Sequence, residues 1–255
     1  MNFLEKVKKR MEIVSNVLTI GLDTDYERLP SRFSKNAEGV YEFNREIIER
    51  TKNFACAYKI NSAFYEQLGP DGMKTMMKTR DLIGDLPVIY DAKRSDIDST
   101  AKAYARAAFE FFGFDAITVL PYMGSDSMEV FFSYTDKYTF VLSLSSNQGA
   151  FDFEYHGTPP LYLKVAKFVS EKNKRYGNCG LVVGATFAEK IREIHEIANE
   201  SLILVPGVGA QGGDVQKVMN SIDGRNLLVN VSRSIIFSAD PEKSSYDYSK
   251  LLSLR

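Results

Sequence analysis

The 255-residue chain is 44 % hydrophobic and 25 % charged, which suits one large domain or two small ones. Its net charge of −1 gives no electrostatic case for nucleic acid or an anionic membrane as a partner. Two cysteines, Cys56 and Cys179, lie in apolar, strand-like runs and read as buried, reduced residues of a cytosolic protein, not as a disulfide framework.

The first ten residues, Met1 to Arg10, mix charge with apolar side chains at helical spacing and lack the apolar core of a signal peptide. No apolar run approaches the roughly 18 residues of a membrane span, so a cytoplasmic location is expected. From there one pattern repeats: a short apolar strand, a polar or glycine-containing loop, then a helical stretch. Strands are predicted over residues 18–23, 57–61, 88–93, 116–120, 140–145, 180–184, 202–207 and 227–232. Amphipathic stretches are predicted between them. Residues 39–51 carry Val40, Phe43, Ile47 and Ile48 on one face, and residues 99–112 are rich in Ala and Phe. Residues 126–134, 161–174, 188–199 and 213–219 follow. No linker, charge block or low-complexity tract marks a boundary, so residues 1–255 read as one domain. Eight strand–helix units in about 250 residues is the count of a closed (β/α)8 TIM barrel. A doubly wound open sheet is the alternative, but it normally has fewer strands, and no Gly-x-Gly-x-x-Gly follows the first strand.

In a barrel, chemistry sits at the C-terminal ends of the strands. Strand one ends Gly21-Leu-Asp23, strand two Tyr58-Lys59-Ile-Asn61, and strand three Asp91-Ala-Lys93. On an ideal strand Asp91 and Lys93 share a face about 6–7 Å apart. Taken alone, the pair reads first as a structural ion pair beside a loop. With Asp23 and Lys59 on neighbouring strands, four alternating charges meet on one rim. Each opposite pair is worth about 4 kcal/mol at 4 Å and an effective dielectric near 20, before desolvation. An ammonium fixed by carboxylates can stabilise a carbanion and then protonate it. Asp96 follows past the strand, and Ser99 or Thr100 is expected to cap the next helix. Strand five ends Ser143-Leu-Ser-Ser146-Asn-Gln148, which suits hydrogen bonding to a polar ring or serves as a polar turn. Strand seven runs into Gly207-Val-Gly209-Ala-Gln211-Gly212-Gly213, and strand eight ends Asn230-Val-Ser-Arg233. A glycine-rich loop beside an Arg at strand eight is the usual phosphate position of a barrel. The two histidines have no metal-ligand spacing. His195 is expected on a helix surface and His156 in a loop.

Asp91-Ala-Lys93-Arg-Ser-Asp96-Ile-x-x-Thr100 resembles the Asp-x-Lys-x-x-Asp signature of the orotidine 5′-phosphate decarboxylase family, in the spelling of its bacterial, type 2 subgroup. Supporting stretches occur in the same order: Gly21-Leu-Asp23, Lys59-Ile-Asn-Ser-Ala-Phe, Val119-Leu-Pro-Tyr-Met-Gly, Ser146-Asn, Pro206-Gly-Val-Gly-Ala-Gln-Gly-Gly213 and Asn230-Val-Ser-Arg233. The resemblance implies a cofactor-free carboxy-lyase converting orotidine 5′-monophosphate (OMP) to UMP, the last step of pyrimidine nucleotide synthesis. By position, Lys93 would stabilise and protonate the C6 carbanion. Asp91 would lie beside the departing carboxylate, and Lys59 would orient it. Asp23 would hold the ribose and Ser146 the pyrimidine. Gln211, Gly212 and Arg233 would hold the phosphate. The resemblance also implies a homodimer in which Asp96 and Thr100 reach the partner's site.

Three positions depart from the subgroup. Ser95 and Asp98 stand where Gly is common, and Gln148 where Pro is usual. If Ser95 or Asp98 needs φ > 0, the side chain costs about 1 kcal/mol. Two other readings stay open: a magnesium-dependent sugar-phosphate enzyme on the same barrel, and a barrel that binds a nucleotide without turnover.

Overall fold

A computed structural model describes residues 1–209 and 214–254. Eight parallel strands close into a barrel in chain order, with β8 pairing back onto β1. They are β1 (Leu18–Gly21), β2 (Ala57–Asn61), β3 (Val88–Arg94), β4 (Ala116–Val119), β5 (Tyr138–Leu144), β6 (Cys179–Val183), β7 (Ile203–Pro206) and β8 (Leu227–Val231). Each lies within two residues of its predicted span. The strands are short, β-branched and buried on both faces, as parallel strands under a helical coat must be.

The helices cover the outside. Helix Ala37–Thr51 buries Val40, Phe43, Ile47 and Ile48, the face predicted for it. It packs on helix Gly69–Ile83, which the sequence reading did not separate. That helix opens Gly69-Pro-Asp-Gly, a turn-like string, yet Pro is also at home in a helix's first turn. The stretch predicted at 99–112 is helix Asp98–Arg106 running into one π-helical turn, Ala107–Phe111. Helices Ser125–Phe132, Leu161–Tyr176, Ala188–Ile197 and Val215–Met219 fall on their predictions, and Pro241–Leu251 is a further helix capped by Asp240.

The N-terminal helix Phe3–Val14 decides which barrel mouth is open. A reciprocal cap fixes its start: Glu5 N–H donates to Asn2 Oδ1, and Asn2 N–H to Glu5 Oε2. The Phe3 ring lies 5.3 Å from Tyr138 and 5.9 Å from Phe140, near the start of β5. Lys6 Nζ sits 2.7 Å from Asp115 Oδ1, just ahead of β4. Aromatic packing and an ion pair thus cover the N-terminal mouth and leave the strand C-termini open.

Cys56 and Cys179 are buried, unpaired thiols. His195 is half-buried instead of on the surface, and burial pushes its imidazole pKa down. Among the described residues no helix is long and apolar enough to cross a membrane.

Candidate active site

The strand C-termini ring a cavity of about 290 Å³. Asp23, Lys59, Asp91, Lys93, Ser146 and Arg233 all line it. Gln211 and Gly212 lie outside the described residues.

The four charges form one chain of contacts. Lys59 Nζ is 3.1 Å from Asp23 Oδ1 and 3.0 Å from Asp91 Oδ2. Lys93 Nζ is 2.7 Å from Asp91 Oδ1. Lys59 is 2 % exposed and Asp91 9 %, whereas Lys93 is 44 % exposed. Asp91 and Lys59 are therefore held in low dielectric, and the Lys93 head faces the opening. Burial favours the neutral carboxyl of Asp91, but the two ammoniums together outweigh it and hold Asp91 well below the usual carboxylate range. Burial likewise opposes the charge on Lys59, and Asp23 and Asp91 outweigh that and raise its pKa.

Lys93 is not placed by simple strand alternation. Its φ is +47°, in the left-handed region, and the β3–β4 register slips there. Tyr90 pairs with Ile117, but the next pairing is Arg94 with Val119. Asp91, Ala92 and Lys93 together face the single residue Thr118, an irregularity of the kind that re-aims side chains at barrel rims. The predicted separation of 6–7 Å along an ideal strand becomes a direct ion pair.

The opposite wall suits an oxyanion. Gly207 (φ +100°) and Gly209 (φ +80°) take left-handed turns after β7. A Cβ on Gly209 would stand 2.9 Å from both Ser234 Oγ and Tyr248 Oη. Arg233 opens the short helix Arg233–Ile236 directly after β8. Ser145, Ser146 and Asn147 form a further wall. Glu154 braces that loop, accepting the Ser145 N–H at Oε2 at 2.7 Å.

The family model described as orotidine 5′-phosphate decarboxylase / HUMPS family matches residues 17–248. The chain belongs to that family. It is 44 % identical over 241 residues to a protein of Herpetosiphon aurantiacus named orotidine 5′-phosphate decarboxylase, covering 93 % of this chain and 90 % of the relative. It is 46 % identical over 231 residues to one of the same name from Christiangramia forsetii, covering 88 % and 85 %. The structure of Leishmania donovani OMP decarboxylase superposes with a TM-score of 0.89 at 35 % identity, covering 99 % of this chain and 98 % of that one. The barrel and the carboxy-lyase class expected from the sequence are borne out.

Within this family frame, Asp96 and Thr100 stand apart from the rest. Neither lines the cavity. Asp96 Oδ1 accepts the amide of Ile97 at 2.8 Å, and Thr100 is exposed on the first turn of helix Asp98–Arg106. Ser99 and Thr100 do not cap that helix. It starts one residue earlier, with Ile97 at the N-cap and no side-chain cap bond. Asp98 enters it at φ +46°, so of the two subgroup glycine positions this one does need left-handed backbone. Ser95 is not left-handed, but its buried hydroxyl has no partner among the described residues. Gln148 lies in the same loop as Ser145, three residues past the amide that Glu154 accepts.

Sequence reasoning missed Glu154 and Thr118. Thr118 Oγ1 donates to Asp91 Oδ1 at 2.9 Å and accepts the Lys93 N–H at 3.0 Å. Nothing in an Ala-Ile-Thr-Val strand marks that Thr, because its role exists only across the strand pair.

Proposed function

We propose that this chain decarboxylates orotidine 5′-monophosphate to UMP without a cofactor, and that the Lys59–Asp91–Lys93 array performs the chemistry. The observation that carries the reading is the placement of the exposed Lys93 ammonium against the buried Asp91 carboxylate, in a cavity that also presents Arg233. Arg233 and the Gly207–Gly209 turn hold the 5′-phosphate, with Gln211 and Gly212 completing the grip. Asp23 takes a ribose hydroxyl, and Ser146 meets the pyrimidine. The C6–carboxylate bond then breaks, CO2 leaves, and the electron pair stays on C6 facing the Lys93 ammonium. Lys93 Nζ donates its proton to that carbon, and solvent restores it. A fixed ammonium is strongest where water is excluded and no reorientation is needed at the moment of reaction. Binding energy from the distant phosphate supports that step by fixing the ring against Lys93.

Asp96 and Thr100 serve the partner's site in a homodimer on this reading. Their position outside the cavity of their own chain supports it, as does Ile97, an apolar side chain 46 % exposed beside Asp96.

The magnesium-dependent reading needs carboxylates free to take a cation. Asp23 and Asp91 are each engaged by Lys59, and among the described residues no three His, Cys, Asp or Glu side chains converge as ligands. One experiment separates the readings. Purified protein with OMP and EDTA should show the ultraviolet change of UMP formation. Activity that appears only after magnesium is added, or no activity at all, overturns the proposal. Lys93→Ala should fold and lose at least ~10⁴-fold in kcat, the scale of a removed transition-state charge and acid.

A further inference from the structure

The irregularity between β3 and β4 creates a problem in hydrogen bonding. A register that runs Tyr90↔Ile117 and then Arg94↔Val119 leaves the intervening backbone of β3 out of the regular ladder. Lys93 sits there with left-handed backbone, a conformation most side chains disfavour. Its N–H is partly buried, and without an acceptor it would add to that cost.

Thr118 solves it. The Lys93 N–H donates to Thr118 Oγ1 at 3.0 Å, and the same hydroxyl donates to Asp91 Oδ1 at 2.9 Å. Lys93 Nζ donates to that same oxygen at 2.7 Å. The path from the Lys93 amide through Thr118 and Asp91 to the Lys93 ammonium is a closed ring of hydrogen bonds. It ties the two ends of one lysine together. The task needs a group that accepts and donates at once through a single atom, which a hydroxyl does and an amide, carbonyl or ammonium does not. Thr118 is 1 % exposed, so water has little chance of substituting.

We propose that Thr118 is the positioning residue of this site, its hydroxyl holding the strained Lys93 backbone and the Asp91 carboxylate in register so that the Lys93 ammonium is preset for proton donation. The inference rests on the decarboxylase reading for its catalytic consequence and on the hydrogen-bond ring for its structural one. Thr118 touches neither substrate nor reacting atoms; it acts through Lys93 and Asp91. Precise positioning of charge before the reaction is what makes such a charge effective.

Thr118→Val keeps the shape and removes the hydroxyl; Thr118→Ser keeps the hydroxyl and removes the methyl. With OMP as substrate, Thr118→Val should lose about tenfold or more in kcat while KM changes by less than about threefold, as expected when a transition-state interaction is lost. Thr118→Ser should stay within about threefold of the parent chain in both. In amide hydrogen exchange, Lys93 in Thr118→Val should exchange at least about tenfold faster than in the parent, and Thr118→Ser should restore its protection. Unchanged kcat in Thr118→Val, an equal loss in folded Thr118→Ser, or a rise in KM matching the fall in kcat overturns the proposal. If Thr118→Val does not fold, the Thr118→Ser comparison decides it. An inactive parent chain counts against the decarboxylase reading. The exchange result still decides whether Thr118 holds Lys93, and unchanged protection of the Lys93 amide in Thr118→Val rejects it.

Discussion

At the residue scale the site depends on Asp91 being shared. Its two oxygens take Lys59, Lys93 and Thr118, so the carboxylate is satisfied and its lysines are fixed. The burial of Lys59 makes this arrangement sensitive to the loss of one member. Lys59→Met leaves Asp23 and the buried Asp91 without their shared cation, and removing one partner of a buried pair costs about 3 kcal/mol. Urea unfolding at pH 7 should show that loss. The sign with pH follows from the carboxylate. Asp91 is held below its ordinary value of 3.8, so its contribution is complete above that value and is lost as pH falls beneath it. The gap between Lys59→Met and the parent should therefore narrow as pH drops through the carboxylate range. A gap that widens on acidification would mean that Lys59 stabilises through packing, not charge.

At the element scale, strand ends and the loops after them carry different amounts of the site. β2 and β3 are buried along most of their length, and they carry Lys59, Asp91 and Lys93, the charges whose placement matters most. The loop after β5 carries Ser146, and its position depends on β6. A Cβ on Gly184 would stand 2.7 Å from Ser146 N and 2.7 Å from its Cα, so the loop rests directly on that glycine. Gly184→Ala must push the loop outward. The Lys59–Asp91–Lys93 array lies on other strands and stays in place. The expected outcome is a KM for OMP raised roughly tenfold with kcat less affected, the pattern of weakened binding. Steady-state kinetics with a thermal melt as a folding check measures it; an unchanged KM would show that the loop adjusts without cost. Helix Asp98–Arg106 shows the opposite relation, where the element's start is set by a strained residue. Asp98 takes φ +46° without a capping side chain, so here the chain accepts strain at the point where it turns from the lysine strand into the rim.

At the scale of the whole molecule, two properties follow from what the barrel buries and what it leaves out. Burial pushes both Cys56 and Cys179 thiols up to about 12 from an ordinary 9.0. Burial also raises the phenols of Tyr58, Tyr65 and Tyr138. The carboxylate partners raise Lys59 against its own burial. All these groups favour the protonated form when folded, while the unfolded chain releases protons from about pH 9 upward. Their contribution is complete below that pH and is lost as pH rises toward the folded values. The urea midpoint should hold to about pH 9 and fall steadily above it; a midpoint that rises there contradicts the sign. The second property concerns Asp96 and Thr100. If they complete a neighbour's site, neither Lys93→Ala nor Asp96→Ala should be active alone, yet mixed and re-equilibrated chains should regain activity through sites that carry neither change. Failure to regain it, with dimers formed, rejects a shared site.

The sequence alone settled whatever depends on order and periodicity. Eight apolar strands alternating with amphipathic helices have one economical closure, and each strand was legible because burial on both faces demands a continuous apolar run. Because barrel chemistry sits at strand C-terminal ends, Asp23, Lys59 and Asp91 were also legible as one rim. Helix Gly69–Ile83 was not legible, since Gly-Pro-Asp-Gly spells a turn locally and only packing on helix Ala37–Thr51 makes it helical. Thr118 and Glu154 were not legible either, because each acts on a partner far away in the chain. Only tertiary structure decided how Lys93 reaches Asp91. Its left-handed backbone and the slipped β3–β4 register depend on a hydroxyl from the next strand, and no local pattern in β3 encodes a hydrogen bond supplied from β4.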